Sequence, residues 1–418
     1  MRTVSRATRK QVTVAAPPSK AHTLRALFMT SLADGRSVIE RPLLGVDQQK
    51  AIECLRRLGV AIASEEARLI VEGMDGEFRP ITGELNVGES GVGMNFLTAL
   101  ACLSPRPVTI TGAHGVIQRP IGELVSGLRQ LGCKIDYLGK DRFPPVKVQG
   151  GGIPGGVAEM RGDVTSQYFS AILAAAPYAD LPVTLKCSGA MSEKPYLDIS
   201  AAMMAMLGVQ IRREDYTSFT VPNAHGYAPR DVAIEGDYSS ASFFFEAAAV
   251  CGNSVTVTGL DPASVQGDRR VLALLRQMGC EVEGAEDSVT VRGRELGAME
   301  ADMSDTPDLV PPLAVTAAFA TGTSRLGNIA HLRHKESDRL AVIASELSKM
   351  GVQSRCDESS LTVEGGEPHG ARIDPHNDHR IAMSFAVAGL ATGDQVIEDE
   401  VCVAKSFPDF WERLRTFA

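Results

Sequence analysis

The sequence predicts a mixed α/β fold made of six copies of one strand and helix unit, and three observations carry that expectation. Five amphipathic helices end on Leu-Gly or Met-Gly and run into a short alternating strand: Leu58-Gly59, Leu131-Gly132, Leu207-Gly208, Met278-Gly279 and Met350-Gly351. Their glycines lie 73, 76, 71 and 72 residues apart. A second set of helices, apolar on all sides and so expected to be buried, starts near Ser19, Gly91, Thr165, Ser239, Asp308 and His379. The third observation is the β-branched, alternating segment that follows these helices, as in Val108-Thr109-Ile110-Thr111, Val183-Thr184-Leu185-Lys186 and Val255-Thr256-Val257-Thr258.

Each element has a local cause. A glycine after the last apolar helical position supplies the left-handed cap that closes a helix, and Val60-Ala61-Ile62 or Cys280-Glu281-Val282 then opens a strand. Six units of about 72 residues nearly exhaust the 418-residue chain, and the helix beginning at Asp409 ends it. The glycine run Gly150 to Gly156 is not followed by Lys-Ser or Lys-Thr and reads as a turn, not a nucleotide loop.

Composition narrows the function. The 44% hydrophobic and 22% charged residues are those of a globular protein. The net charge of -9 and an aromatic content of 5% oppose nucleic-acid binding, which needs cations and stacking platforms. Eight scattered cysteines without a Cys-x-x-Cys pair fit a reducing cytoplasm and offer no zinc site. No apolar run reaches the 18 or so residues of a membrane helix, so no membrane partner is expected.

The polar residues sit at the starts of the apolar helices: Ser19-Lys20, Glu89-Ser90-Gly91, Thr165-Ser166-Gln167, Asp237-Tyr238-Ser239, Asp305-Thr306-Pro307-Asp308 and Asp378-His379-Arg380. Capping of free backbone N–H groups accounts for Asp237, Ser239 and Asp305. It does not account for Lys20 and Arg380, because a cation at a helix start opposes the macrodipole and calls for a compensating anion. Several helix starts brought to one side of the sheets would suit a polyanionic ligand in a cleft. His331, His334 and Glu336 could face a metal, but Arg333, Lys335 and Arg339 among them would repel it, so no metal is expected.

These junction motifs together resemble the 5-enolpyruvylshikimate-3-phosphate synthase family of enolpyruvyl transferases over Pro18 to Phe410. The most specific pieces are Glu235-Gly236-Asp237, Gln266-Gly267-Asp268, Asp302 to Asp308, Lys335-Glu336-Ser337-Asp338-Arg339, Asn377-Asp378-His379-Arg380 and Ala404 to Asp409. The resemblance implies a two-domain inverse α/β barrel of six βαβαββ repeats, three per domain, closing on its substrates. The domains it implies are residues 19–234 and residues 1–18 with 235–418. It further implies a monomer without a cofactor that moves the enolpyruvyl group of phosphoenolpyruvate to the 5-hydroxyl of shikimate 3-phosphate.

By the same resemblance Lys20, Gly91, Arg119, Arg339, Arg380 and Lys405 would bind phosphoenolpyruvate. Lys20, Arg25, Thr165, Ser166, Gln167, Tyr196, Asp308, His331 and Lys335 would bind shikimate 3-phosphate. Asp308 would accept the hydroxyl proton, with Glu336 and Lys20 both candidates for proton transfer at the methylene carbon. The sequence departs from the family pattern at Ala21, Leu24, Glu89, Val92, Asn95 and Glu193, mostly on the acceptor side. Those departures leave open another cyclic alcohol as acceptor, and they make the response to glyphosate unreadable. A related transferase acting on UDP-N-acetylglucosamine and a non-catalytic anion-binding relative are the competing readings.

Overall fold

The structure is a computed structural model that describes residues 1–223 and 226–418. The chain divides into two compact units, Met1–Ser19 with Glu235–Ala418, and Lys20–Ile234. Ser19 thus falls in the first unit and not, as the sequence suggested, at the head of the second.

Each unit carries three sheets, and the repeat is most plainly seen in residues 156–221. Strand Gly156–Arg161 runs parallel to Val183–Ser188, which pairs antiparallel with Ser218–Val221, which pairs antiparallel with Arg212–Glu214. The helices Gln167–Ala175 and Lys194–Met206 fill the two connections. This is a βαβαββ unit. The same order recurs in Glu84–Asn86, Val108–Thr111, Val146–Val148 and Ile135–Tyr137, and again in Glu300–Asp302, Thr323–Gly327, Leu361–Glu364 and Ser354–Cys356.

The remaining sheets are completed by chain far away in sequence. Val232–Ala233 pairs parallel with Ile39–Glu40, Gln11–Ala15 pairs parallel with Ser254–Thr258, and Arg2–Val4 pairs antiparallel with Gln395–Ile397. The two crossings of the chain between the units follow from this borrowing.

Strands such as Gln11–Ala15 and Val108–Thr111 bury alternate residues, so one face of each sheet meets the core. The apolar helices are the core itself. Every residue from Tyr238 to Ala249, from Val310 to Ala318 and from His379 to Leu390 is buried, and these three helices pack on one another. Lys20–Leu32, Gly91–Leu100 and Gln167–Ala175 are the buried set of the other unit. The five amphipathic helices end where the sequence placed their caps, and Gly59, Gly132, Gly208, Gly279 and Gly351 all have φ between 81° and 107°. At Gly59 a Cβ would also lie 2.7 Å from the Arg79 carbonyl oxygen, so both space and conformation require glycine there.

One buried residue breaks the apolar pattern. Glu246, in the middle of helix Tyr238–Cys251, is 1% exposed, and neither carboxylate oxygen has a hydrogen-bond partner among the described residues. Burial alone pushes its carboxyl well above the ordinary glutamate value. The folded chain therefore keeps a proton that the unfolded chain releases above about pH 4.3, and stability falls as pH rises beyond that value, by up to about 1.4 kcal/mol per pH unit. Glu246→Met removes the desolvated acid, so it should raise stability at pH 7 by about 1–3 kcal/mol. Urea unfolding at pH 5 and pH 7 checks this: the gain should be the larger at pH 7.

Candidate functional site

In the unit that contains the C-terminal half, one guanidinium gathers three carboxylates. Arg339 opens helix Arg339–Lys349 and is 1% exposed. Its Nε donates to Asp378 Oδ2 at 2.8 Å, its NH1 to Asp308 Oδ1 at 2.9 Å and its NH2 to Glu336 Oε2 at 2.9 Å. The two outward carboxylates each hold a second cation. Asp308 Oδ2 lies 2.8 Å from Arg380 NH2, and Glu336 Oε1 lies 3.0 Å from Lys405 Nζ. Burial opposes the charge on Arg339, but Asp378, Glu336 and Asp308 outweigh it and hold its pKa well above the ordinary value.

Local folding places every member. Asp308 sits in the turn Pro307–Leu309 ahead of helix Val310–Ala318. Asp378 does two jobs, since its Oδ1 caps helix His379–Thr392 at the Arg380 amide, 3.0 Å away, while its Oδ2 takes Arg339. Asp338 caps the Arg339 helix through the Ala341 amide. Lys405 ends the turn Glu400–Lys405. The anion that the sequence required opposite Arg380 is Asp308, a side chain of the same unit.

Behind this network lies a second carboxylate group. Asp237 caps helix Tyr238–Cys251 through the Ser240 amide and hydroxyl, as the sequence predicted. Ser239, also read as a cap, instead donates its hydroxyl to Asp268. The N-cap position of the turn Pro307–Leu309 is Thr306, whose side chain makes no capping hydrogen bond. His331 and Lys335 lie half-buried at the turn Ala330–His334 that leads to Glu336.

The other unit holds the remaining sequence-predicted residues. Lys20, first in its helix, is 2.7 Å from Asp47 Oδ2, which supplies the anion that its position demands. Arg25 is fully buried. Its Nε donates to Ser200 Oγ at 2.7 Å, NH2 to the Tyr196 carbonyl at 3.0 Å and NH1 to the Ala21 carbonyl at 3.2 Å, with Phe96 stacked at 5.5 Å. Burial lowers its pKa to about 10, with the Tyr196 side chain opposing. Gly91 makes way for the Arg119 side chain, since a Cβ there would stand only 3.0 Å from Arg119 NH1.

Thr165 and Ser166 both turn toward Glu193. The Thr165 hydroxyl donates to the Glu193 carboxylate, and the Ser166 hydroxyl donates to the Glu193 carbonyl at 2.6 Å. Gln167 follows, its amide 3.2 Å from Thr165 Oγ1, and opens the helix two residues later than the sequence suggested. Glu193 is itself fully buried, in left-handed backbone at φ 60°, directly before helix Lys194–Met206. Of the other departures, Leu24 is fully buried in the core, while Glu89 accepts from the Gly115 amide.

Sequence reasoning missed Asp47 and Ser200 as partners of Lys20 and Arg25. Both left a faint signal: Asp47 is the acid in the first turn of helix Val46–Arg57, and Ser200 lies one helical turn after Tyr196. It also did not assign Asp268 a partner.

Comparison with solved structures identifies the fold. An EPSP synthase from Acinetobacter baumannii superposes with a TM-score of 0.83 at 25% identity, covering 99% of this chain and 97% of that one. The chain belongs to the EPSP synthase (3-phosphoshikimate 1-carboxyvinyltransferase) family, whose model matches residues 4–414. Proteins named 3-phosphoshikimate 1-carboxyvinyltransferase from Methanoculleus marisnigri and Methanoregula boonei are 45% and 44% identical to it. The first comparison covers 96% of this chain and 95% of the relative, and the second 97% and 96%. The family resemblance read from the junction motifs is thereby borne out. The matched family and the named relatives are 3-phosphoshikimate 1-carboxyvinyltransferases.

Proposed function

We propose that this protein transfers the enolpyruvyl group of phosphoenolpyruvate to the 5-hydroxyl of shikimate 3-phosphate and releases inorganic phosphate. The observation that carries the reading is the Arg339 network, in which Asp308 and Glu336 each accept from two cations. In the addition step the acceptor oxygen bonds to C2 of phosphoenolpyruvate, its proton passes to Asp308, and the methylene carbon takes a proton to become a methyl group. In the elimination step that carbon gives a proton back, the C–O bond to phosphate breaks and the double bond reforms. Glu336 and Lys20 are the two candidates for the methylene proton.

The cations have a separate task. Arg339, Arg380 and Lys405 would hold the phosphate and carboxylate of phosphoenolpyruvate, where planar guanidinium groups match both anions. Arg119, seated against Gly91, and Lys20 belong to the same substrate by resemblance. Arg25, Thr165, Ser166, Gln167, Tyr196, His331 and Lys335 would serve the acceptor, with Arg25 acting through Tyr196 and Ser200, which it fixes in place. A monomer acting in the cytoplasm completes the reading. Eight free thiols suit that compartment, and no helix among the described residues is long and apolar enough to cross a membrane. The test is to mix the protein with both substrates, follow phosphate release and weigh the product. Phosphate release with an enolpyruvyl adduct of shikimate 3-phosphate is expected; binding of phosphoenolpyruvate without turnover would point to a different acceptor alcohol.

One observation favours such an acceptor, the Glu193 carboxylate beside Thr165. A carboxylate next to a bound phosphate costs about 1 kcal/mol even in a water-like surrounding, roughly fivefold in affinity. Glu193→Ser should therefore lower KM for shikimate 3-phosphate about fivefold with kcat unchanged. An unchanged KM, or impaired turnover at an unchanged melting temperature, would mean that Glu193 is not opposing the phosphate.

A further inference from the structure

Asp268 has no part in the proposed chemistry, yet it stands beside it. It lies in the turn Gly267–Arg270, 6% exposed, and accepts from the Ser239 hydroxyl. Among the described residues its carboxylate makes no ion pair. Asp308 and Asp237 face it from the turn Pro307–Leu309 and from the cap of helix Tyr238–Cys251, and Arg380 faces it from helix His379–Thr392. The arginines of its own turn reach elsewhere, Arg269 to the Pro262 carbonyl and Arg270 to the Asp302 carbonyl.

Three carboxylates thus share the field of Arg380, and Arg380 bonds directly to Asp308. Arg339 also bonds Asp308 but is shared with Glu336 and Asp378, so the carboxylates outnumber the guanidinium groups that face them, and retaining a proton among them lowers the cost. Asp237 gives its acceptor capacity to the Ser240 amide and hydroxyl, and Asp308 gives its own to two guanidinium groups. Among the described residues Asp268 accepts from a hydroxyl alone, and it is the natural holder. Burial and then the charge of Asp308 push its pKa up to about 7, against the opposing pull of Arg380 and the Ser239 hydroxyl.

We propose that Asp268 is a positioning residue: by holding this proton it leaves Asp308 as the ionised partner of Arg380, and by releasing it weakens Arg380 as an anchor for the anionic substrate. The proposal rests on the assignment of phosphoenolpyruvate to Arg380 given above. Affinity for phosphoenolpyruvate then falls as pH rises through neutrality, for a reason separate from the ligand's own ionisation.

The test compares wild type with Asp268→Asn, which is neutral at every pH. The Kd for phosphoenolpyruvate is measured by calorimetry from about pH 5 to 9, alongside phosphate release. Below neutrality the two Kd values should agree. Above it the wild-type Kd should become about threefold to tenfold the larger, the effect of one added charge at about half to one unit of pKa coupling. Ser239→Ala, which withdraws a donor that favours the ionised form, should move the wild-type change to higher pH and serves if Asp268→Asn does not fold. A ratio of Kd values that stays constant with pH, or a midpoint unmoved by Ser239→Ala, overturns the proposal. Absence of phosphate release by wild type would overturn the transferase reading alone, because the binding comparison does not depend on turnover.

Discussion

Asp308→Ala should reduce kcat for enolpyruvyl transfer by about a hundredfold to ten-thousandfold, the usual contribution of a positioned general base. The expectation follows from where the carboxylate sits. Its two oxygens are fixed at 2.9 Å and 2.8 Å by Arg339 and Arg380, so it is aimed beside the cations that would carry phosphoenolpyruvate. Asp308→Asn keeps the shape but cannot accept the proton, and the loss in kcat should be similar. Both variants should still bind phosphoenolpyruvate, which calorimetry would record. Turnover within tenfold of wild type would assign the proton transfer to another group.

Arg339→Met should destabilise its unit by about 3–5 kcal/mol, because removing one partner from a buried ionic network leaves the others uncompensated. Here a single side chain neutralises parts of Asp308, Glu336 and Asp378 at 1% exposure. That is a large fraction of the about 5–15 kcal/mol that typically holds a domain folded. Arg339→Lys should recover only part of the loss. An ammonium is a point charge and cannot match three carboxylates disposed around a planar fork. Chemical denaturation of both variants measures the difference; equal stability of wild type and Arg339→Met would mean that the network contributes nothing net. Activity should be lost in both, since Asp308 and Glu336 lose the donor that orients them.

The contrast between these two residues shows what could be read in advance. Asp308, Glu336, Arg339 and Lys405 were named by the family resemblance, whereas Lys20 and Arg380 were conspicuous because a cation at the start of an apolar helix opposes the macrodipole. Their partners were less so. Asp47 resembles any first-turn acid, and the buried carboxylate of Glu193 looks from sequence like a surface residue before a helix. Glu246 lies within the helix that starts near Ser239, and nothing local in the sequence distinguishes a buried acid from an exposed one.

The sequence by itself determined the repeat. Cap glycines at regular spacing, helices apolar on all sides and β-branched alternation are local signals, and each acts within one helical turn or a few strand residues. Tertiary structure decided what those signals could not carry. Val232–Ala233 becomes a strand only because Ile39–Glu40 offers it an edge, and Gln11–Ala15 joins Ser254–Thr258 across more than half the chain. Arg339 chooses Asp308 and Asp378, and Ser239 chooses Asp268 over a helix cap, through hydrogen bonds between segments that no sequence spacing relates. Such pairings depend on distance in space and on burial, and both arise only once the repeats have packed.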